Sequence, residues 1–259
     1  MCPRAEKRRF AGNYAAGEPP ADGPRVLDVV TLNIKFGRRI DEAKQLFARV
    51  GELARAHVVL LQEMDVDGTD AIAAALRMRY VYYPATVHRA TGRDFGNAVL
   101  SRWPIVRDEK IDLPHASLRD GSPRAATCAT IDTPVGPIEV CSVHVATPFE
   151  LLPGARREQV ATLLRSLHGA SRVVLGGDFN SRALGRLVAA NAFDWATRDI
   201  GRTLRYFAVD HIFTRGLRAR AVGKVIDTLG ATDHAAVWSR LVAHESAARP
   251  PTMSCAGAA

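Results

Sequence analysis

The sequence predicts an α/β sandwich, with two β-sheets packed on each other and helices outside them. Three observations carry that expectation. Short runs rich in Val, Ile and Leu recur along the chain at strand length. Between some of them lie segments whose apolar residues follow the period of an amphipathic helix. Other neighbouring runs are separated only by turn residues, so hairpins alternate with helical crossovers, a mixture foreign to one doubly wound parallel sheet.

Residues 26–34 read as a strand, and the helical segment 41–56 follows, with Ala43, Leu46, Phe47, Val50 and Leu53 on one face. A strand at 58–62 leads into a helix at 69–77, then strands at 80–84, 97–101 and 106–113. Residues 125–132 and 137–145 form a hairpin around Thr133-Pro134-Val135-Gly136. A helix at 154–167, a strand at 173–177 and a shorter helix at 182–190 come next. Strands at 209–214, 219–225 and 235–241 close the domain. Residues 1–24 and 244–259 lack apolar periodicity and are expected to be tails, leaving 25–243 as one folded domain. Residues 1–10 are basic but no apolar stretch follows, so no signal peptide is expected and a cytoplasmic protein is.

Composition sets bounds without choosing a function. The 259 residues are 47% hydrophobic and 24% charged, as in an ordinary globular protein, and no apolar run reaches the length of a membrane helix. The net charge of +8 permits a polyanionic partner. Arg4, Lys7, Arg8 and Arg9 against Glu6 put part of that charge in the N-terminal tail. The four cysteines, Cys2, Cys128, Cys141 and Cys255, are too far apart in sequence for a metal pattern. A tight hairpin puts Cys128 opposite Cys141, but facing Cβ atoms are usually about 4.5–5.5 Å apart, wider than a disulfide prefers. Two reduced, half-buried thiols are the expectation.

Six segments end a strand, or directly follow one, with a polar group: Asn33, Glu63, His144, Asp178 with Asn180, Asp210, and Asp233 with His234. The sharpest is Gly176-Gly177-Asp178-Phe179-Asn180. Strand alternation projects Asp178 and Asn180 the same way and turns Phe179 back into the fold, while the glycines let another backbone or a phosphate approach. Each segment alone has an ordinary explanation, such as an Asx turn, a solvated carboxylate or a hydrogen-bonded core histidine. Brought to one rim, they would concentrate carboxylates, carboxamides and imidazoles in a cleft.

In these motifs the sequence resembles the endonuclease/exonuclease/phosphatase superfamily, the proteins with a deoxyribonuclease I-like fold. Over residues 27–241 the family's order is kept: Leu-Asn-Ile, Leu-Gln-Glu, Gly-Asn-Ala-Val-Leu-Ser-Arg at 96–102, Ser-Val-His, Arg156 and Gln159 on a helix, Gly-Asp-Phe-Asn, Asp-x-Ile-Phe and Thr-Asp-His. The resemblance implies a four-layer αββα sandwich with its cleft at one edge of the paired sheets. It implies a metal-dependent phosphohydrolase, with Mg²⁺ (Mn²⁺ substituting) on Asn33 and Glu63 and Asp233 completing that site or holding a second ion. Asp178 would orient and deprotonate the attacking water, Asn180 would steady the same region, and His144 and His234 would donate to phosphate oxygens. Asp210 would pair with His234, and Arg124 and Asn97 would contact phosphate. The identity of the base and the number of metals stay open.

Departures narrow the substrate. Lys35 stands where abasic-site endonucleases carry an Asp, and Ser142-Val143-His144 replaces their tyrosine context. Both move the chain toward deoxyribonuclease I, the sphingomyelinases and related bacterial hydrolases. The 29 residues between Asn180 and Asp210 are few for the family, though Arg198, Arg202 and Arg205 make that connection basic. The expected substrate is a phosphoester, with a nuclease on DNA or RNA ahead of a lipid or small-molecule phosphoesterase, and a non-catalytic nucleic-acid-binding member as the third reading. Few aromatic clusters are evident for single-strand binding, no apolar membrane-docking insertion stands out, and no protein partner is implied.

Overall fold

The computed structural model describes residues 8–17, 26–89 and 91–243. Thirteen strands are described: β1 Phe10–Asn13, β2 Val26–Asn33, β3 Val58–Met64, β4 Arg79–Val87, β5 Asp94–Ser101, β6 Ile105–Leu113, β7 Arg124–Thr133, β8 Gly136–His144, β9 Val173–Asp178, β10 Asp194–Trp195, β11 Asp210–Arg215, β12 Leu217–Val225 and β13 Ala236–Ala243. The helices are α1 Ile40–Arg49, α2 Gly51–Ala54, α3 Val66–Leu76, α4 Pro153–Ser166 and α5 Arg182–Ala189. One sheet has the order β1-β4-β5-β3-β2-β13-β12 and the other β10-β11-β9-β8-β7-β6.

Period-two alternation builds the layers. On β2 and β3, Val30, Leu32, Val59 and Leu61 face outward and pack with Leu46 and Phe47 of α1 and Ile72 of α3. On β8, β9 and β11, Cys141, Val143, Val173, Leu175 and Phe213 face outward against Val160 and Leu163 of α4 and Leu184 of α5. The opposite faces, including Val29, Leu60, Val140, Val174 and Ile212, meet each other between the sheets. This is the four-layer αββα sandwich that the motifs implied.

Gly177 explains how closely β8 and β9 approach at the cleft end. It has φ 148°, and a Cβ there would overlap the Val143 carbonyl oxygen, so only glycine fits.

Several expectations need correction. Residues 10–13 lie in the segment expected as a tail, yet they form an edge strand paired with β4, Phe10 opposite Tyr82. The paired Arg9 and Asp108, with the Tyr14 hydroxyl donating to Asp70, hold that strand in place. The helix expected over 41–56 breaks at Val50, whose extended backbone (φ −96°, ψ 112°) separates α1 from α2. The expected tails at 1–7, 18–24 and 244–259 lie outside the described residues. Cys128 and Cys141 do sit opposite each other, but they are disulfide-bonded and fully buried, not reduced and half-buried. Their Cα atoms are 4.1 Å apart. Narrow and wide facing pairs alternate along an antiparallel ladder, so an average spacing overstated this separation.

Candidate active site

The same alternation assembles the cleft. On β2, Asn33 falls on the inner face with Val29 and Thr31; on β8, His144 follows Val140 and Ser142; on β9, Asp178 follows Val174 and Gly176; on β11, Asp210 precedes Ile212. Register then brings them together: His144 lies opposite Asp178 and Asp178 opposite Asp210. Glu63 reaches the same space through a register shift in the β3–β5 ladder and a left-handed backbone (φ 57°). One sheet therefore supplies Asn33, Glu63 and the 231–235 segment before β13, and the other His144, Asp178 and Asp210.

Asn33 bridges the two sheets, its Nδ2 donating to Glu63 Oε1 at 3.0 Å and to Asp178 Oδ2 at 3.1 Å. Glu63 Oε2 accepts from the Phe36 backbone N–H at 3.1 Å. His234 Nδ1 donates to Asp210 at 2.9 Å, and its Nε2 lies 3.9 Å from Asp178 Oδ2. His144 Nε2 is 3.7 Å from the same oxygen. Arg124 Nη1 donates to His144 Nδ1 at 3.2 Å, which leaves the ring proton on Nε2, facing the cleft. Arg124 is itself held by Glu150 at 2.6 Å.

Burial and like charge set the protonation states. Burial, then Asp210 and Glu63, push the Asp178 carboxyl up to about 7, although His234 and the Asn180 N–H act against the rise. Burial disfavours the His234 cation, but Asp210, Asp178 and Glu63 outweigh it and raise that imidazole to about 10. His144 is held well below the usual histidine value by burial, and by Arg124 and His234. The cleft thus holds an imidazolium, a neutral imidazole with its N–H directed inward, and a carboxylate able to take a proton near neutrality.

Other expected residues sit elsewhere. The chain turns at Asn180 (φ 52°), so strand alternation stops at Asp178. Asn180 donates its N–H to Asp178 Oδ1 and its Nδ2 to the Val145 carbonyl, bracing the loop after His144. Asp233 stands toward solvent and pairs with Lys35 at 2.8 Å rather than joining Glu63. Asn97 is buried, with its Nδ2 donating to the Ala125 carbonyl. Arg156 and Gln159 brace loops: Arg156 donates to the carbonyls of Ala146, Phe179 and Asn180, and Gln159 to those of Pro114 and His115. Sequence reading missed Gln62 and Ser142, which bond to each other between the sheets, Thr203, whose Oγ1 accepts the Asp210 N–H at 3.1 Å, and Glu150, which holds Arg124. Gln62 could have been found, since it is a polar residue on the inward phase of an apolar strand.

Two buried carboxylates, Asp178 and Asp210, and the half-buried Glu63 in one cleft suit a hard divalent cation, which would relieve their mutual repulsion. Among the described residues, Asp178, Asp210 and His234 offer ligand atoms within 4.8 Å of one another. The hydrogen bond between His234 and Asp210 already accounts for part of that proximity. Glu63 is the alternative oxygen ligand; the Asn33 amide oxygen accepts the Lys35 N–H at 2.9 Å and would join Glu63 only if the amide turned over. A larger concavity of about 920 Å³, between α1 and α3, gathers no such cluster.

Comparisons with known proteins agree with this architecture. A structure of an endonuclease/exonuclease/phosphatase from Beutenbergia cavernae is similar with TM-score 0.67 and 20% identity, over 85% of this chain and 72% of that one. The human Nocturnin catalytic domain with bound sulfate anion gives TM-score 0.65 at 16% identity, over 94% and 100%. D. rerio TDP2 complexed with single strand DNA product gives 0.65 at 15% identity, over 83% and 98%. No curated protein matches the sequence. Residues 30–234 match the Endonuclease/Exonuclease/phosphatase family, and the chain belongs to it.

Proposed function

We propose that this protein is a Mg²⁺-dependent phosphoesterase that hydrolyses nucleic-acid phosphodiesters by in-line attack of water. The observation that carries the reading is the meeting of Asp178, the Asp210–His234 pair, the Asn33–Glu63 pair and the Arg124–His144 pair across the two sheets. Glu63 would hold the cation, with Asn33 adding its Oδ1 only once its amide turns over, since Nδ2 faces Glu63 and Oδ1 accepts the Lys35 N–H, and with Asp233 reaching it only by leaving Lys35. When bound, the cation polarises a non-bridging phosphate oxygen and offsets developing charge. Asp178 accepts the proton of the attacking water, its raised carboxyl matching that task near neutral pH. The His234 imidazolium and the His144 Nε2–H donate to phosphate oxygens, and Asp210 holds the His234 ring in place. A relative of the same fold solved with a single-strand DNA product is compatible with such a substrate.

A second reading, a phospholipid phosphoesterase, draws on exposed Leu118, Leu152, Tyr206 and Phe207, which lie in loops at the cleft end of the strands. Among the described residues, no helix is long and apolar enough to cross a membrane.

Asp178→Asn tests the assignment. With Mg²⁺ and single-stranded DNA, kcat is expected to fall by about 10²–10⁴-fold while the unfolding transition is retained. Undiminished metal-dependent hydrolysis would remove Asp178 from the mechanism.

A further inference from the structure

Beside the catalytic groups lies a cavity of about 360 Å³ whose wall includes Glu63 and His144. Its other side is aromatic. The Phe36 ring meets His88 at 4.7 Å and Phe95 at 5.8 Å between centroids, and Phe95 meets His144 at 6.0 Å. Phe149 completes the lining and is 87% exposed, more than any other large hydrophobic among the described residues. The Phe149 ring, with so little protein against it, leaves a face free to stack on an occupant of the cavity.

The walls are built rather than incidental. Lys35 and Phe36 both hold left-handed backbones (φ 49° and 62°), a conformation that costs about 1 kcal/mol or more for such residues. That turn lets the Phe36 N–H serve Glu63 while its ring faces the cavity. Opposite, Ser117 N–H donates to the Ser122 carbonyl and Leu118 N–H to that of Glu150, tying the 117–122 loop to the segment that carries Phe149. Arg124 is 93% buried, as its 7% exposure shows, and lies over the Phe95 ring at 5.3 Å. Its Nε is buried without a hydrogen-bond partner.

The chemistry of the walls selects the occupant. An acyl chain would face Arg119, Asp120, Ser122 and Arg124, which line the same space. A quaternary ammonium would meet like charge, because the guanidinium groups of Arg38 and Arg124 lie over Phe36 and Phe95. A planar ring with polar edges suits both: aromatic and guanidinium planes stack on it, and the polar side chains meet its edges. The volume is at the small end of ligand pockets, which suits one nucleoside and not a base pair with its two backbones.

We propose that this pocket takes the unpaired base of the nucleotide next to the scissile phosphate, so that the enzyme acts on single-stranded or terminal nucleotides and not on intact duplex. This rests on the phosphoesterase reading and specifies its substrate. It also revises the sequence-based expectation that aromatic support for single-strand binding is lacking.

The test uses the full chain with Mg²⁺ and three substrates: a short single-stranded DNA oligonucleotide, the same strand annealed, and the same strand with one abasic residue. Cleavage next to the abasic residue is expected to be slower than next to a base by about tenfold, and the annealed strand slower by at least as much. In Phe149→Ala the ratio of base-bearing to abasic cleavage is expected to collapse toward one. Equal rates on all three substrates, or an unchanged ratio in Phe149→Ala, would overturn the pocket while leaving the phosphoesterase standing. Hydrolysis confined to phosphatidylcholine–phosphatidylserine vesicles would overturn it in favour of the lipid reading. If no phosphoester is cleaved, the phosphoesterase reading fails by itself, and calorimetric titration with adenosine monophosphate decides the pocket. Binding weakened about tenfold by Phe149→Ala sustains it; no binding, or equal binding, overturns it.

Discussion

Asp178 owes its chemistry to its neighbours more than to its own type. An exposed aspartate is a weak base near neutrality; here burial and the nearby Asp210 and Glu63 lift it into the working range. A different histidine, His57, shows the same physics acting on stability. Its Nδ1 accepts the Asp28 N–H at 3.0 Å, its ring stacks on Trp103, and burial, together with Arg102 and Arg240, holds it below the usual histidine value despite Asp28. Between that lowered value and about 6.5, the unfolded chain binds a proton that the folded protein does not. Stability is therefore full above that window and falls as pH drops through it. Buried His211, lowered to about 4, acts in the same direction. His57→Asn keeps an acceptor for Asp28 without a titrating ring, so it is expected to lose less stability than the wild type between about pH 7.5 and about pH 5.5. Urea midpoints at the two values check this, and parallel slopes would refute it.

Among the elements, the β7–β8 hairpin was legible because turn residues fix register, and register put Cys128 against Cys141. Bond formation was not legible, because it depends on whether the facing pair is a narrow one. Closing a span of 13 residues restricts the unfolded chain by about 3 kcal/mol. Cys128→Ala/Cys141→Ala is expected to lower unfolding free energy by about that amount, measured in urea without reductant. Alkylation of the denatured, unreduced wild type should leave Cys128 and Cys141 unlabelled; labelling of both would remove the bridge. β1 escaped sequence reading for another reason. Phe10-Ala11-Gly12-Asn13 has little strand propensity, and it is ordered by β4, Asp108 and Asp70, all remote in sequence. The break between α1 and α2 was equally hidden, since the apolar spacing continues across Val50 while the backbone does not.

At the scale of the molecule, the polar residues of the cleft are legible and their supports are not. Asn33, Glu63, His144, Asp178, Asp210 and His234 each occupy a motif, whereas the contacts that align them cross between sheets. Beneath the cleft, fully buried Gln62 on β3 donates to Ser142 Oγ on β8 at 2.9 Å and to Thr31 Oγ1 on β2 at 3.1 Å, and Ser142 Oγ donates to the Leu61 carbonyl. This polar bridge joins the sheets one residue before Glu63, as the Asn97–Ala125 and Thr127–Asn97 bonds join them between β5 and β7. Gln62→Leu would leave Thr31 without Gln62 and deprive Ser142 of its donor, at a cost of about 1–3 kcal/mol in stability. It would also free the two halves of the site to shift, and misplacement on the order of 1 Å can reduce rate by about 10²-fold. The expected outcome is a fold that still melts cooperatively, with kcat reduced far more than an exposed polar substitution such as Asn191→Ala reduces it. If Gln62→Leu lowers the urea midpoint yet retains full kcat under native conditions, the bridge supports the sandwich but does not align the site.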